Sequence, residues 1–133
     1  LPMPFMLTAR AENFLHGRPD LDDTIRRLQA FAAAGADVLY APGLPDIEAI
    51  RTVCAAVDKP VNVVMGLSGQ FYSVAELADA GVKRISVGGS LARAALDGFL
   101  TAAREIAEQG TFDYARRAAR FSEVAAFMKN AGE

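Results

Sequence analysis

The chain has 133 residues, 52% hydrophobic and 23% charged, a balance typical of one globular domain with a buried core and not of a disordered segment. Its net charge of −2 and its lack of a Lys/Arg cluster argue against nucleic acid as a partner. No apolar run approaches the length of a membrane span, and the single cysteine excludes an internal disulfide and a multi-cysteine zinc site. The first residues lack the pattern of a signal peptide, so we expect a cytoplasmic protein.

Short apolar segments predict four strands, and a helical pattern follows each of them. Asp20 is placed to cap the first helix, and Ser73 with Glu76 forms a capping box for the third. Cys54 falls on the apolar stripe of the second helix, which predicts a buried, inert thiol. The predicted strands cover Phe5–Ala9, Asp37–Ala41, Pro60–Met65 and Lys83–Val87.

The last third of the chain is predicted to be helical. Ser90 is a natural N-cap for a long helix that opens at Leu91 and ends at Gly110. A final helical stretch covers about Phe112–Lys129, with a break near Phe121. The long helix is expected to bury the apolar face formed by Ala95, Phe99, Ala102 and Ile106.

Alternating strands and helices predict an α/β protein with a parallel sheet. The segment AGADVLYAPG, which starts at Ala34, parallels AGVKRISVGG, which starts at Ala80, and such self-similarity favours a TIM-barrel type (β/α) fold over a dinucleotide-binding sheet. A closed barrel of this type has eight strands. We therefore expect about four βα units, a half barrel followed by C-terminal helices. The other half would be missing from this sequence, or two chains would complete each other.

Arg10 follows the first predicted strand, where the sheet's carboxyl edge carries binding sites in such folds. Its planar guanidinium is suited to a carboxylate or a phosphonate. The alternative is a structural ion pair with Glu12, and position alone does not separate the two. His16, the single histidine, is interpreted as a solvent-facing loop residue.

Gly88, Gly89 and Ser90 join the fourth strand to the long helix, an arrangement that offers backbone N–H groups to an anion. The alternative is a strand-to-helix turn that needs two glycines for its own geometry. Asn62 lies inside the third strand, where a buried amide either contacts substrate or ties strands together. The loop 66–72 is a candidate rim or lid, and its Ser68 lacks the base partner of a nucleophile.

Several stretches resemble the carboxyl-terminal half of the isocitrate lyase/phosphoenolpyruvate mutase superfamily. The matching stretches are LTARAENFLHG, LDDTIRRLQAFAAAGADVLYAPGL, KPVNVVMG, SVAELADAGVKRISVGGSLARAA and AAREIAEQGTF, in family order. The resemblance implies that residues 1–110 form the second half of a (β/α)8 barrel. It implies that residues 111–133 form a terminal helical segment exchanged with a neighbouring subunit of a homo-oligomer.

The resemblance also implies a Mg²⁺-dependent lyase or mutase that makes or breaks a C–C or P–C bond of a small 2-oxo acid through an enolate. Arg10 matches the arginine that binds the substrate anion, and Glu12 matches an acid near the metal's water shell. The metal ligands are expected mainly from the missing first half. This chain departs from the lyases at Pro42, where they carry glutamate, and at Val64, where they carry asparagine. These departures argue against isocitrate or methylisocitrate as substrate.

Three hypotheses follow for function. The first is the lyase or mutase, with Arg10, Asn62, Gly88, Gly89 and Ser90 binding the anion and Arg10 and Glu12 in catalysis. The second is another TIM-barrel isomerase or synthase that binds phosphate at Gly88–Ser90. The third is a non-catalytic half barrel that serves oligomerisation. We expect the isolated segment to be inactive.

Overall fold

The computed structural model describes residues 3–66 and 69–130, and four strands within them form one parallel sheet. The strands are β1 (Thr8–Arg10), β2 (Val38–Tyr40), β3 (Val61–Val64) and β4 (Arg84–Ser86), in the order β1-β2-β3-β4. Consecutive strands are neighbours throughout, as in a (β/α) barrel, whereas a dinucleotide-binding sheet reverses its order. The predicted parallel α/β class of TIM-barrel type is confirmed.

The first strand begins later than its apolar residues suggest. Pairing with β2 starts at Thr8 opposite Val38, while Phe5 and Met6 are exposed. The backbone N–H of Leu7 donates to Asp37 Oδ2 at 2.8 Å instead of to a neighbouring strand. The prediction from apolar residues alone, which starts this strand at Phe5, is therefore three residues too early.

Helices follow the first three strands and begin where the sequence supplies a cap. α1 (Leu21–Ala33) is capped by Asp20, whose Oδ1 accepts from the Asp23 N–H at 2.8 Å. α2 (Ile47–Ala56) is capped by Asp46 in the same way. α3 (Val74–Asp79) has the predicted capping box between Ser73 and Glu76. The short side chains that terminate each loop thus fix the start of each helix.

The core lies between one face of the sheet and α1–α3. Leu39 of β2 and Val61 of β3 pair in register, so their side chains share that face. The helices contribute Leu28, Val53 and Leu77, each 0% exposed. Tight packing extends to the loops, because a Cβ on Gly81 would lie 2.9 Å from Cys54 Cβ.

The opposite face of the sheet carries polar side chains at one level. The register pairs Arg10 with Tyr40, Tyr40 with Asn62, and Asn62 with Arg84. Because paired residues of adjacent strands point to the same side, these four side chains form a row across the sheet. At the level of this row the two faces therefore differ in chemistry.

The chain divides into two compact units, Leu1–Ser90 and Leu91–Glu133. The second holds most of α4 (Ser90–Gln109), a 3₁₀ turn at Asp113–Arg116 and α5 (Phe121–Asn130). Glu105 orders the chain after α4, since its Oε1 accepts from Thr111 Oγ1 at 2.9 Å and from the Asp113 N–H at 2.6 Å. The predicted helical stretch over Phe112–Lys129 is therefore wrong before Phe121, where the structure has only the 3₁₀ turn, and α5 begins at the predicted break. The division at residues 110/111 stays a prediction.

The predicted burial of the apolar face of α4 is also wrong. Phe99 is 68% exposed, Ile106 and Ala95 are exposed, and Ala102 is half-buried. The periodic pattern identifies which side of a helix is apolar, but it does not show whether the same chain supplies the cover. None of the helices in the described part of the chain is both long and apolar enough to cross a membrane.

Candidate active site

A cleft of about 670 Å³ opens at the carboxyl ends of the strands in the first unit. The strand ends and the loops that follow β2 and β3 form its walls. Binding sites of parallel α/β proteins occupy this edge because several loops converge there. The lining includes Arg10, Tyr40, Pro42, Leu44, Ile50, Val63, Val64, Met65, Gln70, Tyr72, Ser86 and Gly88.

Arg10 ends β1 and lines the cleft with a side chain that is 49% exposed. Its Nη2 lies 2.6 Å from Glu12 Oε1, and its guanidinium carbon lies 5.0 Å from the centre of the Tyr40 ring. The structural ion pair considered as an alternative is thus present. It does not exclude binding, because a guanidinium carries five N–H donors and the pair engages one nitrogen.

Tyr40 occupies the adjacent strand end and lines the same cleft. Partial burial raises the pKa of its hydroxyl, the Arg10 charge opposes that rise, and the Glu12 charge adds to it. The phenol is therefore neutral at physiological pH. Stacking on this ring and pairing with Glu12 together restrict the orientation of Arg10.

His16 extends this chain of contacts to the surface. It lies at the end of a 3₁₀ turn (Phe14–His16), and its Nε2 is 3.4 Å from Glu12 Oε2. Its side chain is 71% exposed, as expected for a loop residue. Glu12 thus lies between Arg10 and His16 and does not line the cleft itself.

Asn62 is 2% exposed and joins β3 to β4 through its side chain. Its Nδ2 donates to Ser86 Oγ at 3.1 Å, and its Oδ1 accepts from Arg84 Nη1 at 3.1 Å. Ser86 lines the cleft, whereas Asn62 lies behind it. Since Ser86 Oγ accepts from the amide, its own proton is free to be donated elsewhere.

The segment Gly88–Ser90 turns β4 into α4. Gly88 has φ +52°, which favours glycine, and it lines the cleft. The Ser90 N–H donates to the Val87 carbonyl at 3.0 Å, and α4 begins at Ser90, one residue earlier than predicted. Gly89 and Ser90 are not among the cleft-lining residues. Anion binding by the three residues stays a prediction.

Sequence reasoning missed Tyr40 and Ser86, which line the cleft, and Arg84, which donates to Asn62. A signal for some of them exists, because Arg84 and Ser86 alternate around the apolar Ile85. Alternation shows that two residues share a face, but only the strand register shows that they meet Asn62. The predicted rim loop 66–72 contributes Gly69, Gln70 and Tyr72, while Leu67 and Ser68 lie outside the described residues.

The fit of these residues to Mg²⁺ is poor. Across residues 3–66 and 69–130, no group of three or more His, Cys, Asp or Glu side chains could hold a metal ion. Glu12, the carboxylate next to the cleft, is engaged by Arg10 and His16. The described residues therefore do not supply a Mg²⁺ site by themselves.

The chain is similar to known proteins over most of its length. A family model described as phosphoenolpyruvate phosphomutase matches residues 1–107. The structure of a candidate lyase/mutase from Burkholderia cenocepacia J2315 is 58% identical, with a TM-score of 0.88 over 96% of this chain and 46% of that one. A candidate phosphonomutase from the same organism is 36% identical, with a TM-score of 0.67 over 76% of this chain and 42% of that one.

A more distant structure shares the fold. 2,3-Dimethylmalate lyase, a member of the phosphoenolpyruvate mutase/isocitrate lyase superfamily, is 21% identical, with a TM-score of 0.70 over 96% of this chain and 48% of that one. The chain thus spans about half the length of the structures it matches. On its strand order, its cleft at the carboxyl edge and these matches, the chain belongs to the phosphoenolpyruvate phosphomutase family, within the phosphoenolpyruvate mutase/isocitrate lyase superfamily.

Proposed function

We propose that this chain forms part of an enzyme that makes or breaks a C–C or P–C bond of a small 2-oxo acid or a related carboxylate or phosphonate. Family membership supports a lyase or mutase. The cleft supports a small anionic substrate, because it combines one guanidinium with a partly enclosed, largely apolar wall. The substrate and the bond that reacts are the parts of the proposal that need experiment.

Arg10 is the observation on which the proposal depends. Its guanidinium lies at the carboxyl edge, is half-exposed, and is held by Glu12 and Tyr40. Cleavage next to a 2-oxo acid leaves negative charge on the enolate fragment. A guanidinium that is already oriented stabilises that charge without reorganising. We assign Arg10 to binding the carboxylate and Glu12 to orienting Arg10.

Magnesium dependence remains part of the proposal, but no step is assigned to the ion, because the described residues do not form its site. A divalent cation would supply further charge stabilisation to an enolate. EDTA inhibition that is reversed by added Mg²⁺ would support this dependence. Activity that is unchanged after metal removal would contradict it.

The decisive experiment compares Arg10 variants of the full-length protein with oxaloacetate, phosphonopyruvate and 2-methylisocitrate as substrates. Loss of a charge-assisted hydrogen bond lowers kcat/KM by roughly 10- to 150-fold, so Arg10→Ala should fall by at least that factor. Arg10→Lys keeps the charge without the planar fork and should lie between wild type and Arg10→Ala. Arg26→Ala is the matched control, because Arg26 pairs on the surface of α1 with Asp23 at 3.5 Å.

Three outcomes would contradict this assignment. Full activity of Arg10→Ala would remove Arg10 from substrate binding. Equal losses in Arg10→Ala and Arg26→Ala would indicate a general effect on folding. Turnover of a phosphate ester with none of the 2-oxo acids would favour the isomerase or synthase alternative.

We also propose that the protein is a homo-oligomer. In the second unit, large apolar side chains of both long helices are exposed, including Phe99 at 68% and Phe127 at 78%. Exposed apolar side chains in this number are typical of a surface that is covered by a partner. Light scattering after gel filtration should give a mass above that of one chain, and a monomer at micromolar concentration would contradict the proposal.

A further inference from the structure

The hydroxyl of Ser86 has a defined hydrogen-bonding role, and two side chains behind the cleft define it. Arg84 Nη1 lies 3.1 Å from Asn62 Oδ1. A guanidinium can only donate, so the end of the Asn62 amide that faces Arg84 is its oxygen. The amide nitrogen therefore faces the other way, where it donates to Ser86 Oγ at 3.1 Å. Arg84 thus determines which end of the amide the serine meets.

This amide leaves the serine with one role toward the cleft. A hydroxyl has one proton and two lone pairs, and the Asn62 N–H occupies one lone pair of Ser86 Oγ. The serine proton cannot point toward another donor, so it is turned away from Asn62. Ser86 lines the cleft and Asn62 lies behind it. A ligand in the cleft therefore meets the hydroxyl as a donor.

The surroundings hold this arrangement in place. Asn62 is 2% exposed, and reversing its amide would set donor against donor at both ends, where each unmade buried hydrogen bond costs about 1–3 kcal/mol. The backbone of Ser86 is fixed by its register with Val64 and by the Met65 N–H, which donates to the Ser86 carbonyl at 2.8 Å. The donor is thus oriented before a ligand arrives. A hydrogen-bond chain that starts at a cation also strengthens its last donor.

We propose that Ser86 is a ligand-binding residue that donates a hydrogen bond to an oxygen atom of the bound acid. Asn62 and Arg84 are positioning residues that keep its hydroxyl in the donor role. The proposal rests on the proposed function for the kind of ligand, an acid with acceptor oxygens, and adds a residue that binds one of them. Arg10 ends the first strand and Ser86 ends the last, so the two side chains approach a ligand from different sides of the cleft.

Calorimetric titration of the full-length protein with pyruvate and phosphonopyruvate, in buffer with Mg²⁺, measures the binding. Ser86→Ala removes the donor and should raise the Kd about 3- to 12-fold, the contribution of one hydrogen bond. Ser86→Thr keeps the hydroxyl and should recover most of that loss. Thr52→Ala is the matched control, because the exposed Thr52 hydroxyl on α2 donates to the Glu48 carbonyl at 2.8 Å, away from the cleft. Its Kd should stay within about two-fold of wild type.

A change of polarity at Asn62 tests the positioning role. Asn62→Asp keeps the size of the side chain and the bond from Arg84, but it presents an acceptor to Ser86 and draws the serine proton away from the cleft. Ser86→Ala should therefore raise the Kd less than about two-fold in the Asn62→Asp background. The effect of the added negative charge is present in both members of that pair and cancels in their ratio. A purely structural role for the network would give the same factor in both backgrounds.

Arg84→Glu gives the same test if Asn62→Asp does not fold. Arg84 is exposed, and a carboxylate there accepts from the amide nitrogen, so the amide oxygen would face Ser86 and take its proton. Ser86→Ala should again raise the Kd less than about two-fold in that background.

The outcomes separate this inference from the proposed function. An unchanged Kd in Ser86→Ala, equal losses in Ser86→Ala and Ser86→Thr, equal factors in the two backgrounds, or no binding of either acid to wild type would overturn the inference. If the binding results are as expected and no bond of any 2-oxo acid is made or broken, the inference stands and the proposed function fails. Turnover of a 2-oxo acid that Ser86→Ala leaves unchanged would support the proposed function and remove the inference.

Discussion

The close approach of Gly66 to Ser90 gives a prediction about the rim of the cleft. Gly66 follows β3 with φ +81°, a conformation that L side chains rarely adopt. A Cβ added there would lie 2.7 Å from Ser90 Oγ and 3.0 Å from Ser90 Cβ. Gly66→Ala therefore combines backbone strain with a steric clash against the first residue of α4.

The two contributions have separate magnitudes. The left-handed backbone costs an alanine about 1–2 kcal/mol, and overpacking costs about 1–3 kcal/mol. We expect Gly66→Ala to lower the free energy of unfolding by about 2–5 kcal/mol. Ser90→Gly removes both clashing atoms, so adding it to Gly66→Ala should restore about 1–3 kcal/mol and leave the backbone strain.

Urea denaturation of wild type, both single variants and the double variant measures this coupling, provided that the m-value stays constant. Gly17→Ala is the matched control, because Gly17 has φ +67° and nothing lies within 4 Å of its added Cβ. The control should show the strain alone and no rescue by Ser90→Gly. Additive effects of Gly66→Ala and Ser90→Gly, within about 0.5 kcal/mol, would refute the reasoning.

Three other predictions follow from individual contacts. Asn62→Leu should lower the free energy of unfolding by about 1–3 kcal/mol in urea denaturation, because the buried amide hydrogen-bonds β3 to β4. An unchanged free energy of unfolding would contradict a stabilising role for these hydrogen bonds. Hydrogen bonds from Ser73, the backbone N–H first and the hydroxyl second, hold the pKa of Glu76 below its ordinary value. These hydrogen bonds add their whole stabilisation above the ordinary pKa of the carboxyl group, and that stabilisation is lost as the pH falls through the lowered pKa of the folded state. The difference in free energy of unfolding between wild type and Glu76→Gln should therefore shrink on acidification. Burial raises the pKa of the Cys54 thiol, so iodoacetamide should modify it more slowly in the folded protein than in urea, and equal rates at neutral pH would refute this.

Local signals in the sequence were sufficient for the parallel sheet and its helix caps. The helix cap at Asp20 and the capping box of Ser73 and Glu76 each join residues that are three positions apart in the sequence. The structure shows both of these contacts as predicted. The alternation of strands and helices likewise restricts the sheet to a few possible topologies. These features could be predicted because each depends on near neighbours in the chain.

The candidate site could be predicted less completely, because it depends on register between strands. Arg10 was identified from its position alone, but its contact with Tyr40 across the sheet follows from a pairing that no single segment encodes. The same holds for the contacts of Asn62 with Arg84 and Ser86. The predicted burial of α4 was wrong for a related reason, because the sequence of a helix does not show which other segment packs against its apolar face.

Strand register is also what separates the core of this protein from its candidate site. Leu39 and Tyr40 are adjacent in β2, yet Leu39 is fully buried in the core while Tyr40 lines the cleft. A shift of one residue would exchange the two faces, placing an apolar side chain beside Arg10 and a phenol in the core.

Strands of three or four residues have few ladder hydrogen bonds with which to resist such a shift. Bonds just beyond the strand ends add to them: the Ala11 N–H donates to the Tyr40 carbonyl at 2.9 Å, and the Met65 N–H donates to the Ser86 carbonyl at 2.8 Å. Both lie at the carboxyl edge, where the cleft opens. The backbone that holds the register there therefore also fixes Arg10 relative to Tyr40, and the binding geometry depends on it as much as on the cleft side chains.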